Sequence, residues 1–206
     1  METIEIDGSE GEGGGSILRL AAACSIIFQK RIEVFNIRAN RKVPGLRAQH
    51  LTGLEALAEL SNGKLEGGRV KSTEIIFTPG KISPKEINLT ISTAGSIGLL
   101  FQVLSIACCK AEIKDYESIK VNVSGGATFG KWAPASSYII NVICPLLRKM
   151  GYNTLLEVKK HGFYPKGGAS AIFTFKSPKE LQGLHLDERG EVTIIEGESI
   201  ASDRKS

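Results

Sequence analysis

Residues 15–26 read GSILRLAAACSI, and residues 95–106 read GSIGLLFQVLSI. Gly, Ser, Ile, Leu, Ser and Ile recur at equivalent places, offset by 80 positions. The surroundings recur as well. A short alternating strand precedes each stretch, TIEID at 3–7 and INLTIS at 87–92, and ends in a turn of small residues. A further strand follows each, RIEVFNIRA at 31–39 and SIKVNVSGG at 118–126. Then come a loop and a second helix, built on QHLTGLEALAEL (49–60) and SYIINVICPLLRKMG (137–151). In the later helix Ile139, Val142, Ile143, Leu146 and Leu147 mark one apolar face at helical spacing. The units close with strands, TEIIFTPG (73–80) in the first, LLEVKKHG (155–162) and ASAIFTFKSP (169–178) in the second.

This spacing predicts an α/β layered fold of tandem pseudo-symmetric units. Each unit runs strand, helix, strand, helix, strand, strand, with two helices covering one face of four strands because each helix has only one apolar stripe to bury. The first unit spans 1–82 and the second 83–180. Residues 181–206 break the pattern, offering one strand at 191–196 and then a polar stop, the start of something further or a tail.

Composition sets wide bounds. The 206 residues are 42% hydrophobic and 23% charged, enough for a sizeable core. A net charge of +4 permits an anionic partner without demanding one. No apolar run approaches the roughly 20 residues that cross a bilayer, and METIEID has neither the basic start nor the apolar stretch of a signal peptide. Cys24, Cys108, Cys109 and Cys144 lack zinc-site spacing and read as free core thiols in a reducing compartment, so a cytoplasmic location is expected.

The first helix opens on GSEGEGGG, residues 8–15. Glycine N–H groups at a helix start make an anion cradle. The loop matches neither G-x-G-x-x-G nor the Walker form. A carboxylate inside a phosphate cradle, Glu12, makes sense with a divalent cation between the two, whereas Glu10 suits the helix dipole. Downstream, NIRANRKVPGLRAQHL (36–51) crowds Arg38, Arg41, Lys42 and Arg47 into one loop before Gln49 and His50 open a helix. Guanidinium groups there suit bidentate phosphate recognition. His50 has the chemistry of a base, a phosphate donor or a cap, and Arg19 on the first helix must snorkel or meet a buried anion. The second glycine-rich turn, SGGATFGKWAPASSY (124–138), carries Phe129, Trp132 and Pro134, which suit either a nucleobase stack or an apolar plug.

Together these stretches resemble the RNA 3′-terminal phosphate cyclase family. The likeness rests on IDGSEGEGGGSILR, IRANRKVPGLRAQHLT, STAGSIGLLFQ, WAPASSY and HGFYPKGG, in that order across residues 4–178. It implies ATP-dependent conversion of an RNA 3′-phosphate end to a 2′,3′-cyclic phosphate, through adenylylated enzyme and RNA, with Mg²⁺ or Mn²⁺. It implies three repeats of the two-helix, four-stranded unit, of which this chain carries two. By the same likeness Glu12 would be the metal-linked carboxylate, with Gly13 and Gly14 at the triphosphate. Arg19, Arg38 and Arg41 would meet phosphates beside Gln49 and His50. Gln102 would approach the nucleotide and Pro134 would pack on adenine.

The sequence also departs from the family. Ser16 stands where Gln is usual and Ser137 where Asp is usual. The family's nucleophilic histidine belongs to the third repeat, so the resemblance implies no catalytic nucleophile in this chain and an isolated chain unable to adenylylate itself. It also implies a partner, either a second copy or a complementing C-terminal polypeptide. A non-catalytic cyclase-like RNA-binding factor in ribosomal RNA processing is the competing class, and an enolpyruvyl-type transferase built of repeated α/β units ranks below both.

Overall fold

In a computed structural model the chain is described over residues 2–11, 13–114, 117–197, 199, 200 and 202. The first unit contains β1 (Thr3–Asp7), α1 (Gly15–Phe28), β2 (Arg31–Phe35), α2 (Ala48–Ser61), β3 (Lys64–Glu66) and β4 (Ile75–Thr78). The second contains β5 (Glu86–Ser96), α3 (Ile97–Cys108), β6 (Ile119–Ala127), a helix in three stretches, β7 (Asn153–Lys160) and β8 (Ser170–Lys176). That last helix runs as α4 (Ser136–Tyr138), a π-helical turn (Ile139–Ile143) and α5 (Cys144–Lys149).

Two four-stranded mixed sheets result, ordered β1-β2-β4-β3 and β5-β6-β8-β7. In each, the strands flanking the first helix pair in parallel and the rest pair antiparallel. The two sheets therefore share one strand order.

Alternation decides which face is covered. In β2 the side chains of Ile32 and Val34 are buried, and in β5 those of Ile87, Leu89 and Ile91. The opposite face of the second sheet is a polar ladder, with Asn122 Nδ2 donating to Glu86 Oε1 (2.6 Å) and to Asn88 Oδ1 (3.0 Å). One continuous core holds both units together. On α3, Phe101 meets Phe173 edge-on at 5.3 Å and Phe175 at 5.4 Å, clamping the helix to β8. Gly53 on α2 lies against Val103 on α3, so the units meet helix to helix.

Three differences from the sequence reading have physical causes. The strand expected at 31–39 stops at Phe35, because Asn36 and Arg38 take left-handed conformations (φ 51° and 57°) that no strand accepts. The helix expected at 137–151 contains a π-turn just before Pro145. A proline there has no N–H for an i−4 bond and its ring crowds that carbonyl, which the wider turn relieves. The strand expected at 191–196 is not formed. Its residues are exposed, and among the described residues no neighbouring strand offers it a ladder, without which an extended segment has no reason to order. The short β3 carries too little pattern to be read from sequence.

Candidate functional site

The glycine turn is built from Asp7, whose Oδ1 accepts from Ser9 N–H (2.9 Å) and Ser9 Oγ–H (2.7 Å). Gly11 and Gly13 adopt φ 55° and 56°, conformations that glycine takes at little cost. Gly14 caps α1 in an extended conformation, and as a glycine it puts no side chain on the first N–H groups. Asn40 Nδ2 donates to Ser9 O (3.1 Å), pinning the basic loop to the glycine turn. A Cβ on Gly14 would stand 3.3 Å from an Arg41 guanidinium nitrogen, so Arg41 reaches the mouth of the turn.

His50 sits beneath. It is the third residue of α2 and only 2% exposed. Its Nδ1 accepts from Arg47 N–H at 3.3 Å, the place a glutamate takes in a capping box. An accepting Nδ1 leaves the proton on Nε2. Burial, with repulsion from Arg19, Arg38 and Arg47, lowers the imidazole from 6.5 to about 4, so it is neutral at pH 7. Gly15 packs against the Nε2 end of the ring: a Cβ there would overlap Nε2 and lie 2.7 Å from Cε1.

The arginines around this ring are charges crowded together. Burial lowers the Arg19 guanidinium, and burial with repulsion from Arg41 and Arg47 lowers that of Arg38. Arg38 Nε is buried without a hydrogen-bond partner among the described residues. No described carboxylate forms an ion pair with Arg19, Arg38 or Arg47. Such a cluster costs free energy until an anion enters it.

Two cavities adjoin the cluster. A crevice of about 10 Å³ runs between Arg19, His50 and α3. A cavity of about 560 Å³ opens beside it toward Phe129, Trp132 and Tyr164. Gln49, Ser96 and Leu99 line both.

The structure thus gathers Gly13, Gly14, Arg19, Arg38, Arg41, Gln49 and His50 into one region. Gln102 is exposed on α3, three residues beyond Leu99, and lines neither cavity. Pro134 is half-buried, with its ring 3.1 Å from where a Cβ on Gly98 would sit. Glu12, the expected metal ligand, lies outside the described residues, and among those described no three acidic, histidine or cysteine side chains gather around a common point. Arg47, read from sequence as part of the basic loop, joins the region, as do Ser96, Lys131 and Tyr164, which the sequence reading does not name as site residues. Trp132 does not plug the units together, being 90% exposed.

A profile of the family described as RNA 3′-terminal phosphate cyclase matches residues 10–202. RNA 3′-terminal phosphate cyclases of Methanopyrus kandleri and Archaeoglobus fulgidus are 42% and 44% identical over 197 and 189 residues. These alignments cover 96% and 92% of this chain, and 54% and 56% of the relatives. The cyclase of Thermococcus kodakarensis is 46% identical over 184 residues, 89% of this chain and 52% of its own. The chain therefore spans about half the length of the curated relatives it matches. No helix among the described residues is long and apolar enough to cross a membrane.

Proposed function

The chain belongs to the RNA 3′-terminal phosphate cyclase family, and on that premise we propose that it provides the phosphate-binding part of a cyclase. The reaction joins an RNA 3′-phosphate to its neighbouring 2′-hydroxyl at the expense of ATP. The observation that carries this reading is the set of arginines around a neutral, buried His50, without described carboxylates on Arg19, Arg38 or Arg47, at the mouth of a glycine turn.

Each group has a derivable task. Arg38 and Arg41 stand on the loop pinned to the glycine turn and would hold phosphate oxygens by charge-assisted hydrogen bonds. Arg19, half-buried on α1, would neutralise charge deeper in the crevice. His50 is a poor base at a pKa of about 4. With its proton on Nε2 it serves as a donor to a phosphate oxygen. The N–H groups of α1 after Gly14 would add a fixed positive potential. ATP, when bound, supplies the activation that turns a phosphate oxygen into a leaving group. The cation that the family uses has Glu12 as its candidate ligand, and no step is assigned to it.

The test is binding of a short RNA bearing a 3′-phosphate against the same RNA bearing a 3′-hydroxyl. The phosphate form should bind at least tenfold tighter, as expected for two or more charge-assisted bonds, and Arg38→Ala should erase the preference. Equal binding of the two RNAs would sink the reading. With radiolabelled ATP and Mg²⁺ this chain is expected to form no acid-labile AMP adduct, since His50 is buried and its one free lone pair, on Nδ1, is held by Arg47 N–H. Glu12→Ala separates the cyclase from a purely RNA-binding factor: metal-dependent nucleotide binding should fall only in the cyclase.

A further inference from the structure

The larger cavity does something the arginine cluster does not explain. Its floor is Phe129, which stacks on Phe163 at 5.9 Å and 18° and lies 5.5 Å from the His161 ring. His161 Nδ1 is in turn 3.1 Å from Thr128 Oγ1, and Thr128 N–H donates to Gly162 O at 3.0 Å. The second glycine-rich turn and the 161–168 hairpin are therefore tied into one wall. On its rim stand Trp132, 90% exposed, and Tyr164, 77% exposed. Trp132 is held at φ 64°, a conformation that β-carbon sterics disfavour, with Lys131 Nζ 5.5 Å from its ring centre.

Large exposed aromatic rings around a cavity of about 560 Å³ are uncommon on a surface without a ligand to cover them. The cavity shares Gln49, Ser96 and Leu99 with the arginine crevice, while Trp132, Lys131 and Tyr164 belong to the wall that the crevice does not share. A ligand whose phosphate lies by Arg19 in the crevice thus has the cavity with its flat rings alongside, and a cation beside them. The rings lie open on a rim, not in an enclosed slot, and few side chains there could read a base edge. That combination suits sequence-tolerant stacking of a strand that continues outward.

We propose that Trp132 and Tyr164 form a stacking dock for an RNA base close to the 3′-phosphate, with Lys131 meeting the strand's backbone. The proposal rests on the phosphate-binding reading above and adds the platform that sets the RNA's path out of the site.

Trp132 is the only tryptophan in the chain, so its fluorescence reports on the dock alone. The probes are a labelled RNA hexamer with a 3′-phosphate, whose binding is followed by anisotropy, the same hexamer unlabelled, an all-abasic hexamer with the same 3′-phosphate, and ATP. The unlabelled RNA hexamer should quench Trp132, while the abasic hexamer and saturating ATP should leave it unchanged. Trp132→Ala should weaken hexamer binding about tenfold, in the range for loss of one base stack, and Trp132→Phe should restore most of it. Hexamer binding by anisotropy with unchanged tryptophan emission would overturn the dock and leave the phosphate site standing. Quenching by ATP equal to that by RNA would place a mononucleotide on the rings and also overturn it. Absence of any hexamer binding would overturn both readings.

Discussion

Gly15 opens α1 directly against the imidazole of His50, so closely that a β-carbon on Gly15 would overlap Nε2 and stand 2.8 Å from Cδ2. The first residue of one helix thus fixes the ring carried by the third residue of the next. Gly15→Ala should cost about 1–3 kcal/mol, the usual range for overpacking a tight site. Urea unfolding measures it. The double variant Gly15→Ala/His50→Ala should cost less than the sum of the single changes, because the clash disappears with the ring. Strict additivity would contradict the packing.

His50 should make stability depend on pH. The unfolded side chain takes up its proton near pH 6.5 and the folded one near 4. Between these values the unfolded chain holds more protons, so stability is full above about pH 6.5 and declines as pH falls toward 4. The loss approaches about 3 kcal/mol at 1.36 kcal/mol per pKa unit. His50→Gln keeps a polar side chain and should flatten this difference between pH 7 and 4.5. Parallel profiles for the two proteins would count against a neutral buried ring.

Arg38 carries both a left-handed backbone and a buried Nε without a described partner. Arg38→Gly should hold stability or raise it by up to about 1 kcal/mol, since glycine removes the conformational strain. The same change should weaken binding of a 3′-phosphate RNA at least tenfold by removing a charge-assisted contact. Thermal unfolding and anisotropy together check it. A large loss of stability would make Arg38 a structural residue.

The segment after β8 is tied back by Gln182 N–H donating to Met150 O at 3.0 Å, and its described residues beyond that are mostly exposed. A chain ending at Leu184 should therefore unfold within about 0.5 kcal/mol of the full chain. A substantially lower unfolding midpoint would show that residues 185–206 pack on the core.

Much of this architecture was legible before any coordinate. The recurrence of Gly15–Ile26 as Gly95–Ile106 announced paired units, and the alternation in Ile32–Val34 and Ile87–Ile91 marked the buried faces, because periodicity records which side of an element meets the core. What escaped was set by partners distant in sequence. The β-branched run at 191–196 suits a strand, yet among the described residues no neighbour pairs with it. The π-turn before Pro145 is a local answer to a missing N–H that helical spacing conceals.

The candidate site divides in the same way. Residue types and spacing by themselves pointed to a glycine turn at α1 and an arginine-rich loop ahead of α2 as the place expected to take an anion. They also left His50 open as base, donor or cap. Tertiary structure supplies the cap: Arg47 N–H donates to Nδ1, and packing on Gly15 buries the ring neutral with its proton on Nε2. It also brought Trp132 and Tyr164, 32 residues apart in the chain, to the rim of one cavity. Burial and convergence are properties of the folded chain, since desolvation and contact depend on which segments the core draws together.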